Sequence, residues 1–220
     1  MNLKDLIERR RNVKPSFFTG EVIPDSDVLA ILNTANWAPT HGYTEPWRFV
    51  VFSGNALEDF ANFQSKLYES LTPSERFEER KFTKLKETPL LASHIIAIAV
   101  SPVEKSKIPL IEEIVATSCA VQNMLLTAAV NSIAVHWTSG GMTYTEEMKS
   151  FLGCNTKDLI LGFLYLGNLP TKLINKAKES RQLMKKLFGI NEGFSDELYR
   201  LYRSSFFTLF RSSFWCLKFG

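Results

Sequence analysis

An α+β fold is what the sequence predicts, and three observations carry that prediction. Short runs of β-branched and aromatic residues alternate with segments of helical periodicity. Their order is irregular: two helical segments precede the first strand, so the steady strand-helix rhythm of a doubly wound sheet is absent. No G-x-G-x-x-G follows a strand and no G-x-x-x-x-G-K-[S/T] occurs, which removes both a Rossmann dinucleotide site and a P-loop.

Leu3, Leu6 and Ile7 form the apolar stripe of a first helix, capped by Asn2 and running into Arg9, Arg10 and Arg11. A turn-rich link, KPSFFTGEVIP, leads to a second helix that starts near Asp25, turns Val28, Ile31, Leu32 and Ala35 inward, and fails before Pro39. WRFVVF, from Trp47, is a strand by its aromatic and β-branched content. Leu57, Phe60, Phe63 and Leu67 mark a third helix, and the charged stretch after it, TPSERFEERKFTKLKET, reads as mobile or solvent-facing. HIIAIAVS, from His94 to Ser101, is short and nearly all apolar, as suits a strand covered on both faces. From about Pro109 to Asn131 the chain is helical and apolar almost all round, a pattern that belongs in the core of a protein or of a dimer. IAVHWTSGG is a strand opening into a glycine turn, TEEMKSFLG a helix with Gly153 just past its end, and LILGFLYLG a last interior strand.

Composition narrows the function. With 220 residues, 45% of them hydrophobic, the chain can build one large domain or two small ones. A dispersed net charge of +3 argues against nucleic-acid binding. The first residues alternate charged and apolar types, unlike a secretory signal or membrane anchor, and no uninterrupted apolar run reaches the roughly 18 residues of a membrane span. Cys119, Cys154 and Cys216 are widely separated and lack C-x-x-C spacing, so a reducing cytoplasm is the expected location. The three histidines show no metal-ligand spacing, there is no G-x-S-x-G elbow, and Cys119 lies in an apolar helix where a thiol is inert packing. With no convincing protein nucleophile, an enzyme built on this chain would leave the difficult step to a cofactor.

Three groups of residues are candidates for holding one. Arg10 and Arg11, with Asn12, stand at a helix end, where cations complement the helix dipole, and where adjacent guanidinium groups also form a clamp for phosphate. The loop within ANWAPTHGYTEPWRFVVF carries Trp37, His41, Tyr43 and Glu45, more chemistry than a connection needs. Trp137, Thr138 and Ser139 place an aromatic ring and two hydroxyls at a strand exit, a pattern that core packing of Trp137 explains equally well.

IERRRNVKPSF, ILNTANWAPTHGYTEPWRFVVF, CAVQNMLLTAAV and GFLYLGNLP, in that order over roughly residues 2 to 170, resemble the nitroreductase family of FMN-dependent NAD(P)H oxidoreductases. The resemblance implies an α+β homodimer with a central mixed or antiparallel sheet flanked by helices and FMN at the subunit interface. It implies that Arg10, Arg11 and Asn12 hold the FMN phosphate and ribityl chain. Trp37 and His41 would approach the flavin from the opposite subunit, and Trp137, Thr138 and Ser139 would lie along the isoalloxazine ring. The implied activity is ping-pong hydride transfer from NAD(P)H, as co-substrate, to a nitroaromatic, quinone or similar small-molecule acceptor. The alternative is a flavin-binding module or sensor without reductase turnover.

Glu45 stands where the family usually has glutamine, and Trp37 and Thr138 stand where close relatives often carry arginine. Ser132 replaces a common glycine, with Asn131 expected to take the left-handed turn. Residues 1–170 are expected to form the FMN-binding domain and residues 171–220 an atypical extension of it. Arg203 and Arg211 begin a repeated Arg-Ser-Ser-Phe pattern there, amid aromatics that would pack on a partner subunit or touch a membrane surface.

Overall fold

Local signals set the first elements. Asn2 Oδ1 accepts the Asp5 N–H at 2.9 Å, capping helix α1, Leu3–Arg9, and Arg10 leaves the helix in extended conformation. Helix α2, Asp25–Asn33, carries Asp25 and Asp27 in its first turn and tightens into a 3-10 turn, Thr34–Trp37, ahead of Pro39. The computed structural model describes residues 2–103 and 107–170. The expected C-terminal extension, with its arginine-aromatic repeats, lies outside the described residues.

Strands β1, Trp47–Ser53, β2, His94–Val100, β3, Ile133–Thr138, and β4, Leu159–Asn168, form one sheet in the order β1-β2-β4-β3. Every pairing between them is antiparallel, and a single parallel bridge, Asn12 to Val135, adds the link after α1 to the outer edge of β3. All of β2 is buried, as its apolar run requires. Alternation sends Ile96 and Ile98 into one core with Val28 and Ile31 of α2 and with helix α5, Leu110–Val130. Ile95 and Ala97 face a second core with helix α3, Asn55–Leu71, and helix α6, Glu146–Phe151. Phe52, Phe60, Phe63, Phe151 and Phe163 stack and tilt against one another there, with centroid separations from 4.0 to 6.4 Å.

Two sequence expectations change. Within the charged stretch after α3, residues 79–87 form a regular helix, α4, Glu79–Glu87, where no element was assigned. Tyr68 anchors it: the Tyr68 ring stacks with Phe77, lies under the Lys81 ammonium at 4.7 Å, and its hydroxyl accepts the Glu78 N–H. At the end of α5, Ser132 itself takes the left-handed conformation, φ 59°, while Asn131 stays at φ −84°. The chain needs its reversal one residue later than the Asn131 reading placed it, because the Asn131 N–H still bonds back to the Thr127 carbonyl.

A Ser-His-Asp array also occurs, as a staple. Ser93 Oγ accepts the Ile23 N–H and bonds His94 Nδ1 at 2.9 Å, and His94 Nε2 donates to Asp25 at 3.0 Å. Buried, with its oxygen already occupied, Ser93 is no exposed nucleophile; the array ties β2 to the start of α2.

Candidate functional site

The predicted residues gather in two places. At the first, Arg10 and Arg11 leave α1 side by side, half-buried. Arg11 Nη1 donates to the Glu8 and Arg10 carbonyls, and Arg11 Nη2 is buried without a hydrogen-bond partner. Burial, and then the neighbouring Arg11 charge, lower the pKa of Arg10. Among the described residues no carboxylate pairs with either guanidinium. Two crowded cations and one orphaned N–H group make a seat that an anion completes.

Asn12 is bonded into the fold beside them. Its Nδ2 donates to the Trp137 carbonyl at 3.1 Å and its Oδ1 accepts the Trp137 N–H at 2.6 Å. The Val13 N–H adds a bond to the Val135 carbonyl, so the arginines are held beside the exit of β3. That exit presents Trp137, Thr138 and Ser139. Trp137 packs half-buried on the α5 core with its Nε1 toward the Leu161 carbonyl, Thr138 Oγ1 accepts the Gly140 N–H, and Ser139 is exposed.

Trp37 and His41 lie apart from this group, on the loop between α2 and β1. Trp37 is 86% exposed, whereas Trp47 is 5% exposed and donates its Nε1–H to Asn36. His41 Nδ1 donates to Glu112 of α5 at 2.6 Å. Gly42, Tyr43 and Glu45 all have positive φ, 62°, 54° and 42°, and the loop holds this strain while leaving Tyr43 91% exposed. Thr40 and Thr44 bond each other through their hydroxyls, and the Glu45 carbonyl accepts from Arg48, which keeps the conformation fixed. Between this loop and α5 runs a cleft of about 450 Å³ lined by Pro39, His41, Ile111, Glu112, Val115 and Cys119.

Sequence reasoning passed over Glu112, Lys14, Lys84 and His136. Nothing in their spacing singles them out.

The model of the nitroreductase family matches residues 7–168 of the 220. The chain belongs to the nitroreductase family. Its curated relatives include the protein named "Putative NAD(P)H nitroreductase YdjA" of Escherichia coli (strain K12), 29% identical over 169 residues, covering 76% of this chain and 90% of that one. YfhC of Bacillus subtilis (strain 168), named in the same terms, is 28% identical over 170 residues, covering 75% and 83%. Among solved structures, the nitroreductase-like family protein from Bacillus cereus superposes with a TM-score of 0.72 at 24% identity, covering 88% of this chain and 97% of that one. The FMN-dependent nitroreductase NfnB from Mycobacterium smegmatis, solved with NADPH, gives 0.65 at 15% identity, covering 86% and 97%.

The nitroreductase motifs have physical reasons in this chain. Asn123 of the Gln-Asn pair donates to the Thr34 carbonyl, fastening α5 to the end of α2. In the last strand Gly162, at φ 127°, passes under the Trp137 indole, and Gly167 lies flat against the Phe18 ring.

Proposed function

We propose that this chain is an FMN-dependent oxidoreductase that takes hydride from NAD(P)H and passes it to a nitroaromatic, quinone or similar acceptor in alternating, ping-pong half-reactions. Family membership supports the redox class, and the names of the relatives and structural neighbours point to the cofactor and the nicotinamide donor. The observation that carries the reading is the orphaned Arg11 Nη2 beside a depressed Arg10, with no carboxylate to neutralise them among the described residues. A flavin phosphate, bearing roughly −1.5 to −2 charges at neutral pH, fits that seat.

Bound FMN supplies the two-electron chemistry, and the protein binds and orients it. Arg10 and Arg11 hold the phosphate, Asn12 sets the spacing between that seat and β3, and the Trp137–Ser139 segment offers a wall for the ring. Trp37 is exposed and His41 is bonded to Glu112 of α5, on the α2–β1 loop, and we place both over the flavin of a second copy. Leu110, Ile111, Val115 and Val130 stand exposed on α5, and covering them by a second α5 supports a homodimer. Neither half-reaction requires a protein nucleophile. We assign residues 1–170 to this FMN-binding domain, residues 171–220 to an extension of it, and the protein to a reducing cytoplasm, in keeping with its free Cys119 and Cys154.

Titration with FMN, followed by flavin fluorescence, tests the reading. The wild type should bind FMN and turn yellow; Arg10→Ala and Arg11→Ala should each weaken binding about tenfold or more, the loss of one charge-assisted hydrogen bond. Unchanged affinity in both variants would move the phosphate elsewhere. Yellow protein whose flavin stays oxidised under anaerobic NADH and NADPH would favour the sensor reading.

A further inference from the structure

The loop before β1 combines a strained backbone, an exposed aromatic ring and a neighbouring apolar cleft. Tyr43 and Glu45 have φ of 54° and 42°, a left-handed region that residues with a Cβ enter at a cost, and Gly42 beside them has φ 62°. The Tyr43 side chain stands in solvent, 91% exposed. The cleft of about 450 Å³ between the loop and α5 is walled by Pro39, Ile111, Val115, Ala116 and Cys119, and on the loop side it reaches His41. Moving the Tyr43 ring into it would take apolar surface from water and relieve the backbone at once. Both effects favour a closed loop, so something holds it open.

One side-chain bond does so from α5. His41 Nδ1 donates to Glu112 Oε2 at 2.6 Å, the one ion pair between the loop and α5 among the described residues. Ile108 packs against Gly42, where a Cβ would meet its Cδ1 at 2.9 Å. The bonds among Thr40, His41, Thr44 and Glu45 run within the loop, the Glu45 carbonyl accepts from Arg48 of β1, and none of these reaches α5. The His41 and Glu112 side chains are 66% and 45% exposed, so water competes for their bond. Its net worth is therefore modest, of the same order as the strain it opposes. Opposed effects of similar size make a two-state element.

We propose that residues 42–45 form a strap with two positions, held open by the His41–Glu112 latch and closed by Tyr43. In the open position, the one described above, Tyr43 points to solvent and the cleft is accessible. In the closed position the latch is broken, Tyr43 and Glu45 relax to extended backbone, and the Tyr43 ring lies in the cleft against Ile111, Val115 and Cys119. Leaving the left-handed region redirects the Tyr43 side chain, which is the motion that burial requires. Open, the strap offers Tyr43 to another surface; closed, it withdraws that ring and fills the cleft, an autoinhibitory contact. The switch uses no flavin, so it goes beyond the proposed redox chemistry and does not rest on it.

Cys119 reports the position of the strap, because its half-buried thiol lines the cleft. Alkylation by iodoacetamide is followed on the full-length protein by peptide mass spectrometry, which separates Cys119 from the other cysteines. Glu112→Ala and His41→Ala each remove a lining side chain together with the latch, so loss of bulk alone would speed labelling of Cys119. The strap predicts the opposite sign: each variant should slow it severalfold, and adding Tyr43→Ala to either should return the rate to the wild-type value or above. Cys154, outside the cleft, should label at one rate throughout, which shows that the fold is kept. Cys119 labelling unchanged or faster in both latch variants, or a slowing that Tyr43→Ala does not reverse, overturns the proposal. A wild type that binds no FMN overturns the proposed function and leaves this inference standing.

Discussion

Gly162 lies where no side chain fits. A Cβ there would stand 2.5 Å from the Thr138 carbonyl oxygen and 3.1 Å from Trp137 Nε1, at a φ of 127° that L-residues rarely adopt. Gly162→Ala should therefore destabilise the fold by about 1–3 kcal/mol, seen as a lower urea midpoint, because the nearest obstructing atom is a backbone carbonyl oxygen that cannot swing aside. Tyr165 makes a separate prediction about pH. Burial raises its pKa from 10.0, with Gln64 only partly opposing the rise, so above pH 10 the unfolded chain loses a phenolic proton that the native state keeps. The folded state then binds more protons, and stability falls as pH rises through that range. Tyr165→Phe should flatten the fall in denaturation midpoint above pH 10, relative to the wild type. At this scale the sequence was a partial guide. Arg10, Arg11 and Asn12 were singled out together, yet only the structure shows Arg11 Nη2 buried without a partner and the Asn12 amide bonded to Trp137.

Helices and strands were legible wherever a local rule fixed them. Asn2 capping α1, Gly153 at φ 68° after α6, and the all-buried β2 follow from nearest neighbours and side-chain period. Helix α4 was missed because its apolar side is one or two residues wide and becomes visible only when Tyr68 of α3 supplies the partner. The link between α2 and β2 was likewise invisible, since Asp25 lies 69 residues before His94 in the chain. His94→Leu should cost about 1–3 kcal/mol in urea denaturation, for it strands the buried Ser93 hydroxyl and Ile23 amide geometry. Asp25→Asn should cost under about 1 kcal/mol, because the Asp25 side chain is mostly exposed and water replaces what it loses.

The whole molecule raises a question of partnership. Trp37, Tyr43, Ile111 and Val115 present large apolar groups to solvent, and the strained loop holding Tyr43 is braced from behind by His41 and Glu112. If a second copy covers this surface, sedimentation should give twice the chain mass, and Ile111→Glu should shift the mass toward one chain by placing a charge in the contact. Flavin affinity should fall with it, since the loop that bears Trp37 and His41 would be withdrawn.

What the sequence determined alone was the elements other than α4 and their order, because capping, periodicity and glycine placement act over a few residues. Its nitroreductase motifs pointed to the family, and Asn123, Gly162 and Gly167 within them answer packing needs of this chain. The sheet order, the strained loop, and the bond from His94 to Asp25 were decided by tertiary structure. His94 and Asp25 lie 69 residues apart in the chain, and hydrogen bonds and burial act through space, where sequence distance has no bearing.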